Sequence, residues 1–310
     1  MKMAVEVFLS LIKASCLCFT AVVSNPQSEE LSSEYGASIS PESPEQQARL
    51  EVEQHRKQLE EEAQKTVDKD AIEVFKDAHS AVKAIEHSKP DEAVAAIRRA
   101  KNKIEPLIKR NSAQAHIPVH VEVTIFDTAP QGLSSIIEIA QDASRALDDK
   151  EFPSARVLLR SLMSEIRVRD YNLPLTTFPM ALQEAARRLN EKKFSEARAV
   201  LLTALTTLVA FDRVTPIPLL AARSAISHAL ALGQKDRVAA LHYLQIAANE
   251  VDRGRYLGYS GNSPEYTALK DEIAKLEKQL KGNDDLSAGF GNLRDRITAF
   301  LKWQSERGRS

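Results

Sequence analysis

Residues 143–159, ASRALDDKEFPSARVLL, and residues 185–201, AARRLNEKKFSEARAVL, carry the same pattern at a spacing of 42 residues. Each segment has a small residue, a leucine four positions later, a polar turn, and then alanine and leucine again. This pattern predicts a helical hairpin, with small residues where two helices cross closely and leucines on the inner stripe. The matched positions are Ala143/Ala185, Leu147/Leu189, Phe152/Phe194, Ala155/Ala197 and Leu159/Leu201.

Two further segments carry the pattern, AVKAIEHSKPDEAVAAI at 81–97 and, more loosely, AISHALALGQKDRVAALHYL at 225–244. Repeated helix pairs bury their apolar faces against one another, as tetratricopeptide-like arrays do. The composition agrees with helix, because the 310 residues include only 10 glycines and 27% of them are charged. We therefore predict a mainly α fold of repeated antiparallel helical hairpins with a period of about 42 residues.

One segment has a different period. In IPVHVEVTIF, residues 117–126, apolar residues alternate with His120, Glu122 and Thr124, which is the pattern of a half-buried strand. A single strand leaves backbone groups unpaired, and we identify no second strand in the sequence. We expect this short β element to pair with another subunit or with a short unrecognised segment.

Proline-bearing segments recur at the same phase of the repeat. Residues 170–182, DYNLPLTTFPMAL, interrupt the helical pattern, and Pro174 corresponds to Pro216 at the 42-residue spacing. Proline excludes helix, so we interpret these segments as extended connectors between hairpins. They are unusually apolar for loops, which predicts either burial or a contact surface. The candidate interaction surface consists of Arg169, Asp170, Tyr171, Leu173, Pro174, Phe178, Pro179, Pro216 and Pro218.

The chain ends are expected to differ from the central repeat. Residues 1–24 resemble a signal peptide, with an apolar run at 14–23 and small residues before Asn25, so we expect export to the periplasm. Lipidation and a cytoplasmic location are the alternatives. Residues 25–65 are predicted to be a disordered, charged arm, and residues 46–66 are predicted to form a solvated helix. Residues 66–282 form the helical-repeat domain, and 283–310 a tail with a short amphipathic helix.

The sequence offers little catalytic chemistry. No phosphate-binding glycine loop and no nucleophile or zinc motif is present, and the seven histidines lack a chelating spacing. We therefore predict no catalytic residues, no metal and no cofactor. The net charge of −1 without a basic block argues against a nucleic-acid partner. The polar cluster of Arg167, Arg169, Asp170 and Tyr171 is interpreted as an ion-paired brace, with a ligand site as the alternative. Phe152 and Phe194 are interpreted as caps on the core.

The long segment SARVLLRSLMSEIRVRDYNLPLTTFPMALQEAARRLNEKKFSEARAVLLTALTTLVAFDRVTPIPLL, residues 154–220, preceded by IPVHVEV, resembles the YfdX family of bacterial proteins. Hairpin, Y-x-L-P and P-hydrophobic-P occur in the order that the family shows, and the similarity extends more weakly over 70–281. The resemblance implies a mostly helical, exported, self-associating protein tied to envelope stress, with anti-aggregation activity suggested for some members. It implies no enzyme activity and brings no catalytic residues.

We expect a non-enzymatic exported protein that binds stressed or unfolded proteins in a chaperone-like way. The alternative is a small-ligand-binding protein, or an enzyme, that uses a pocket between the hairpins and the proline connectors. A homo-oligomer is also expected, from the lone strand, the apolar connectors and the apolar seam of a helix at 266–280. No membrane-spanning segment is expected in the mature chain.

Overall fold

A computed structural model describes residues 43–233, 235–260, 263–282 and 287–307. The predicted leader, 1–24, and the first part of the predicted arm, 25–42, lie outside these residues. Eleven helices and three strands lie in the described part of the chain. They are α1 (Pro44–Thr66), α2 (Lys69–Glu86), α3 (Pro90–Arg110), β1 (His116–Asp127), α4 (Leu133–Asp148), α5 (Phe152–Arg160), β2 (Ser164–Pro174), α6 (Thr177–Asn190), α7 (Phe194–Thr206), β3 (Val209–Pro216), α8 (Ile217–Leu232), α9 (Arg237–Tyr256), α10 (Glu265–Lys281) and α11 (Ser287–Arg307).

The mainly α fold with repeated hairpins is confirmed. The helix pairs α2–α3, α4–α5 and α6–α7 close through the same turn, in which one residue takes a left-handed conformation: Ser88, Lys150 and Lys192, with φ of 56°, 60° and 59°. The next backbone N–H then donates to a carbonyl five residues back, as in a Schellman motif. These bonds are Lys89 N to Ala84 O, Glu151 N to Ala146 O and Lys193 N to Arg188 O, at 2.9, 2.8 and 2.9 Å.

Each hairpin is followed by a strand, so the repeating unit is helix–helix–strand. The three strands form one antiparallel sheet in the order β1-β2-β3. The sequence prediction of a single β element near 117–126 is thus incomplete, since β2 and β3 were not recognised. Pro174 and Pro216 end these two strands, so the segments interpreted as connectors are strand ends. β1 pairs with β2 of its own chain, which removes the need for a strand from another subunit.

One face of the sheet packs into the main core. Ile166 and Val168 of β2 belong to this core, and Val121 and Val123 of β1 pack against it. Helices α1, α8 and α11 pack against the sheet, and α9 and α10 complete the helical layer. The apolar seam of α10 is buried here, within one chain, so it gives no support for self-association.

Both flanking helices are more buried than the sequence suggests. In α1, Val52, Leu59 and Ala63 belong to the core, although this part of the chain was predicted to be a solvated helix of a charged arm. Ser43 caps this helix with a capping box. Few apolar residues are enough to hold α1 in the core, because its buried side packs against α8. The tail helix α11 is likewise longer than predicted, and Leu293 and Ile297 are buried.

Among the described residues, none of the helices combines the length and the apolar character needed to cross a membrane.

Candidate interaction surface

Most of the predicted interaction residues are buried in the described chain. Of the nine, only Arg169, Tyr171 and Pro179 are partly exposed. The other six lie in the interior and cannot form a surface: Asp170, Leu173, Pro174, Phe178, Pro216 and Pro218. The reason is the extended conformation of β2 and β3, whose apolar ends are covered by the helices that follow them.

Asp170 occupies the inner face of the sheet, on the side of the core. It pairs with Arg213 of β3, whose Nε and Nη2 lie 3.1 and 3.3 Å from the two carboxylate oxygens. Both side chains are almost fully buried. A buried charge is tolerated only when it is paired and hydrogen-bonded. Asp170 is therefore a packing residue of the sheet.

The outer face of the sheet carries a paired polar network. Arg169 donates to both carboxylate oxygens of Asp212, at 2.6 and 2.7 Å. The Tyr171 hydroxyl donates to Glu122 at 3.1 Å, and His120 lies 3.7 Å from the other oxygen of Glu122. His120 and then Tyr171 hold the pKa of Glu122 below its ordinary value, and Arg169 does the same to the pKa of Asp212. Because these groups satisfy one another, the network braces the three strands and offers no uncompensated charge to a ligand.

A second polar cluster, which the sequence did not indicate, fixes the end of the sheet to α9. Arg253 is buried and donates to Ala129 O and to Ser164 Oγ, both at 3.3 Å, and to Glu250 at 3.2 Å. Burial raises the pKa of Glu250, although the Arg253 charge opposes that shift. Two of these partners lie 89 and 124 residues from Arg253 in the sequence, so no local pattern could have identified the cluster.

The histidines of β1 are occupied by ring contacts. His116 meets Phe211 edge-on at 5.5 Å, and His120 stacks on Tyr171 at 5.8 Å. In the described ranges, no group of three His, Cys, Asp or Glu residues has the geometry to hold a metal ion. We find no set of side chains there that is arranged for a specific reaction.

The α4–α5 hairpin carries an exposed apolar surface. We call Leu147, Phe152, Leu159 and Met163 the hairpin patch; they line one shallow depression together with Ala155 and the stems of Arg156 and Arg160. Phe152 is 60% exposed and Phe194 39%, so the prediction that both phenylalanines cap the core is wrong. Each is the first residue of the second helix of its hairpin.

The hairpin patch differs sharply from the equivalent surface of α6–α7. Leu147 is 45% exposed and its equivalent Leu189 only 5%, while Leu159 is 50% exposed and its equivalent Leu201 fully buried. The cause lies in the neighbours. Hairpin α6–α7 packs on α2–α3, whereas α5 has no packed helix partner other than α4 in the described part of the chain. A hairpin of the same sequence pattern is therefore left with its apolar face uncovered.

Two comparisons with known proteins give matches. The YfdX protein family model matches residues 74–214, a segment that runs from α2 to β3 and includes parts or all of the three helix–helix–strand units. A solved structure of YfdX from Salmonella Typhi is similar at a TM-score of 0.34 and 12% identity, and the match covers 49% of this chain and 93% of that chain. No curated protein matches the sequence. Residues 74–214, with their hairpins and strands in this order, are thus a YfdX domain.

Proposed function

We propose that this protein is a non-enzymatic binding factor of the cell envelope that shields apolar segments of unfolded or stressed proteins. The observation that carries the proposal is the hairpin patch on α4–α5. Contiguous apolar side chains rimmed by polar ones are typical of protein-binding surfaces. Here Leu147, Phe152, Leu159 and Met163 contribute apolar side chains, and Arg156 and Arg160 line the same depression.

The shape of the hairpin patch suits extended or partly unfolded chains. It is a shallow, open depression along a helical hairpin, which does not enclose a small molecule. Small-molecule sites usually bury most of the ligand in a cleft. The alternative function, ligand binding between the hairpins and the proline connectors, has less support, because Pro174, Pro216 and Pro218 are packed in the interior.

The envelope location rests on the leader at 1–24, which lies outside the described residues. N-terminal sequencing of the protein isolated from cells tests it. A first residue at or near Asn25 supports export, and an intact Met1 on a cytosolic protein refutes it.

The binding function is tested by light scattering of a heat-labile protein mixed with the chain that starts at Asn25. We expect suppression of aggregation at stoichiometric amounts. Phe152→Glu should abolish it, because the change places a charge in the middle of the hairpin patch. Phe152 is exposed at the start of α5, so the variant should keep its fold.

The matched control is Val157→Glu on the same helix. Val157 is 67% exposed but does not line the depression, so this variant should suppress aggregation as the unmodified chain does. The proposal fails if the unmodified chain has no effect at stoichiometric amounts. It also fails if the two variants lose activity equally.

A further inference from the structure

Helix α8 is apolar around almost its whole circumference. Ten of its 16 residues are buried, and Arg223 is its one Lys, Arg, Asp or Glu residue. A helix that is apolar on all sides has to be covered on all sides in a folded protein. Helices α9 and α11 pack on α8, and α1 adds to this cover while also packing against β1 and β2. We call the surface of α8, β1 and β2 that lies beneath α1 the α1 groove.

Helix α1 is held in the α1 groove by few apolar side chains. It contains six Glu and four Lys or Arg residues, and it buries only Val52, Leu59 and Ala63. In the same core, α10 buries five residues and α8 buries ten. Elements with few buried apolar contacts open locally at a lower free energy than the rest of a domain. Among the described helices of the main core, α1 is therefore the one that we expect to open most easily.

Polar contacts complete the attachment of α1 along one edge. Nε of Arg223 donates to the Glu51 carboxylate at 2.9 Å, and the two side chains are only 17% and 27% exposed. The Tyr243 hydroxyl donates to Oε1 of Gln47 at 3.0 Å. The counter-charge that Arg223 meets in the structure thus comes from the helix that occupies the α1 groove.

The link between α1 and α2 is bound to the domain independently of α1. Helix α1 ends at Thr66 and α2 begins at Lys69. Between them, the Asp68 backbone N–H donates to Pro118 O of β1 at 3.0 Å, and the Asp68 carboxylate caps α2. Rotation about Thr66 and Val67 therefore lets α1 leave the groove without disturbing the elements that follow.

We propose that the α1 groove is a docking site for an amphipathic helix of a partner protein, and that α1 occupies the groove until such a helix displaces it. The contacts of α1 define the partner helix. It has apolar side chains at positions i, i+7 and i+11, the spacing of Val52, Leu59 and Ala63, which places them on one face. It has an acidic side chain at i−1, the position of Glu51, which pairs with Arg223. An apolar groove that takes an amphipathic helix is a common mode of peptide recognition.

Charge decides which apolar helices the α1 groove accepts. A helix without an acid at the position of Glu51 would leave the Arg223 guanidinium largely buried and without a counter-charge, which is strongly unfavourable. Helix α1 also competes as an intramolecular ligand, whose effective concentration is on the order of mM. The groove therefore excludes unspecific apolar segments. Docking in the α1 groove is separate from the binding function of the hairpin patch and does not depend on it.

Hydrogen exchange on the unmodified chain that starts at Asn25 tests whether α1 opens. Backbone amides of residues 44–66 should exchange at least about tenfold faster than those of α8, because α1 opens locally and α8 opens only with the core. Mass spectrometry of peptic fragments measures both helices in one sample and needs no substitution.

Binding of a fluorescent peptide with the sequence of residues 43–66, measured by anisotropy, tests docking. The peptide keeps the Ser43 cap and stands for the partner helix. In the chain, Glu51→Arg repels Arg223 and frees the groove. The peptide should therefore bind this variant with a dissociation constant at least about tenfold lower than that for the unmodified chain.

The matched control in the chain is Glu61→Arg. Glu61 is exposed and lies nine residues after Val52, about 180° around the helix. This variant should therefore bind the peptide only as weakly as the unmodified chain does. A peptide that carries Leu59→Lys should bind none of these chains, because the charge replaces a side chain that is buried in the groove.

An exchange of charges separates specific docking from binding to a loosened core. The Arg223→Glu chain should bind the Glu51→Arg peptide about tenfold more tightly than it binds the unmodified peptide. The Glu51→Arg chain, in which Arg223 is intact, should show the opposite preference. Partial unfolding does not reverse a preference between two peptides that differ in one residue.

Docking is refuted if residues 44–66 exchange as slowly as α8, or if the peptide binds the Glu51→Arg and Glu61→Arg chains equally. It is also refuted if the two charge variants prefer the same peptide. A rise in the mass of the Glu51→Arg chain above that of the unmodified chain in sedimentation equilibrium would assign the groove to a second copy and overturn the partner helix. Suppression of aggregation through Phe152 is independent of all these results, so the two proposals fail separately.

Discussion

The most direct test of the hairpin argument compares two leucines at equivalent positions of the repeat. Leu201→Ala removes a side chain that is fully buried where α6–α7 packs on α2–α3, and Leu159→Ala removes its exposed counterpart on α4–α5. Truncating a buried leucine costs about 2.7–5 kcal/mol, because the lost transfer free energy adds to that of the cavity left behind. Leu159→Ala leaves no cavity, and because the site is half exposed it removes only about half of a leucine's buried apolar surface. This loss costs about 1 kcal/mol.

The two variants should therefore differ by about 2–4 kcal/mol in the free energy of unfolding. For a chain of this size, about 1 kcal/mol shifts the melting temperature by roughly 2–4 °C, so the difference should be roughly 4–16 °C. Thermal unfolding followed by circular dichroism measures this difference. Equal losses for the two variants would refute the claim that one hairpin face is covered and the other is not.

Three further predictions concern the sheet and the hairpin turns. Val121→Lys, on the inner face of the sheet, should lower the free energy of unfolding by about 1–3 kcal/mol. Thr124→Lys, on the exposed outer face, should lower it by less than about 1 kcal/mol. Denaturant titrations that find equal losses would mean that the strand faces are misassigned. Lys192→Gly should stabilise by about 1 kcal/mol, because φ at this position is 59°, and an unchanged or lower melting temperature would contradict this. Arg169 lowers the pKa of Asp212, so the pair stabilises the folded state above about pH 4 and loses that contribution as the pH falls through the lowered pKa. Asp212→Asn should reduce the loss of stability in acid, and an acid transition identical to that of the unmodified chain would count against this role.

The helical hairpins could be predicted from the sequence because their signal is local. Alanines such as Ala143 and Ala185, with leucines four residues later, define a helix face within a few turns, and the polar turn ends it. The spacing of 42 residues then identifies the repeat unit. The sequence also places Pro174 and Pro216 at equivalent positions of the repeat, and both end a strand in the structure. It does not predict that the residues before them are strands.

The strands β2 and β3 were missed because charged residues occupy their inner face. Ile166 and Val168 begin a clear alternation in β2, but Asp170 follows where an apolar residue is expected. In β3, Arg213 interrupts the pattern in the same way. The two charges satisfy each other across the pair of strands, so each is tolerated in the interior only because of a residue 43 positions away. A pattern of apolar residues cannot show such a pairing.

The sequence by itself determined the repeating hairpins, the alternation of β1 and the YfdX resemblance. Only the tertiary structure decided which apolar faces are covered. Leu159 and Leu201 occupy the same position of the same pattern, yet one is half exposed and the other fully buried. Amphipathic periodicity indicates that a helix has an apolar face, but it does not indicate which element packs against that face. Hairpin α6–α7 packs against α2–α3, which lies about a hundred residues earlier in the chain. No helix of the described chain covers α4–α5 in that way.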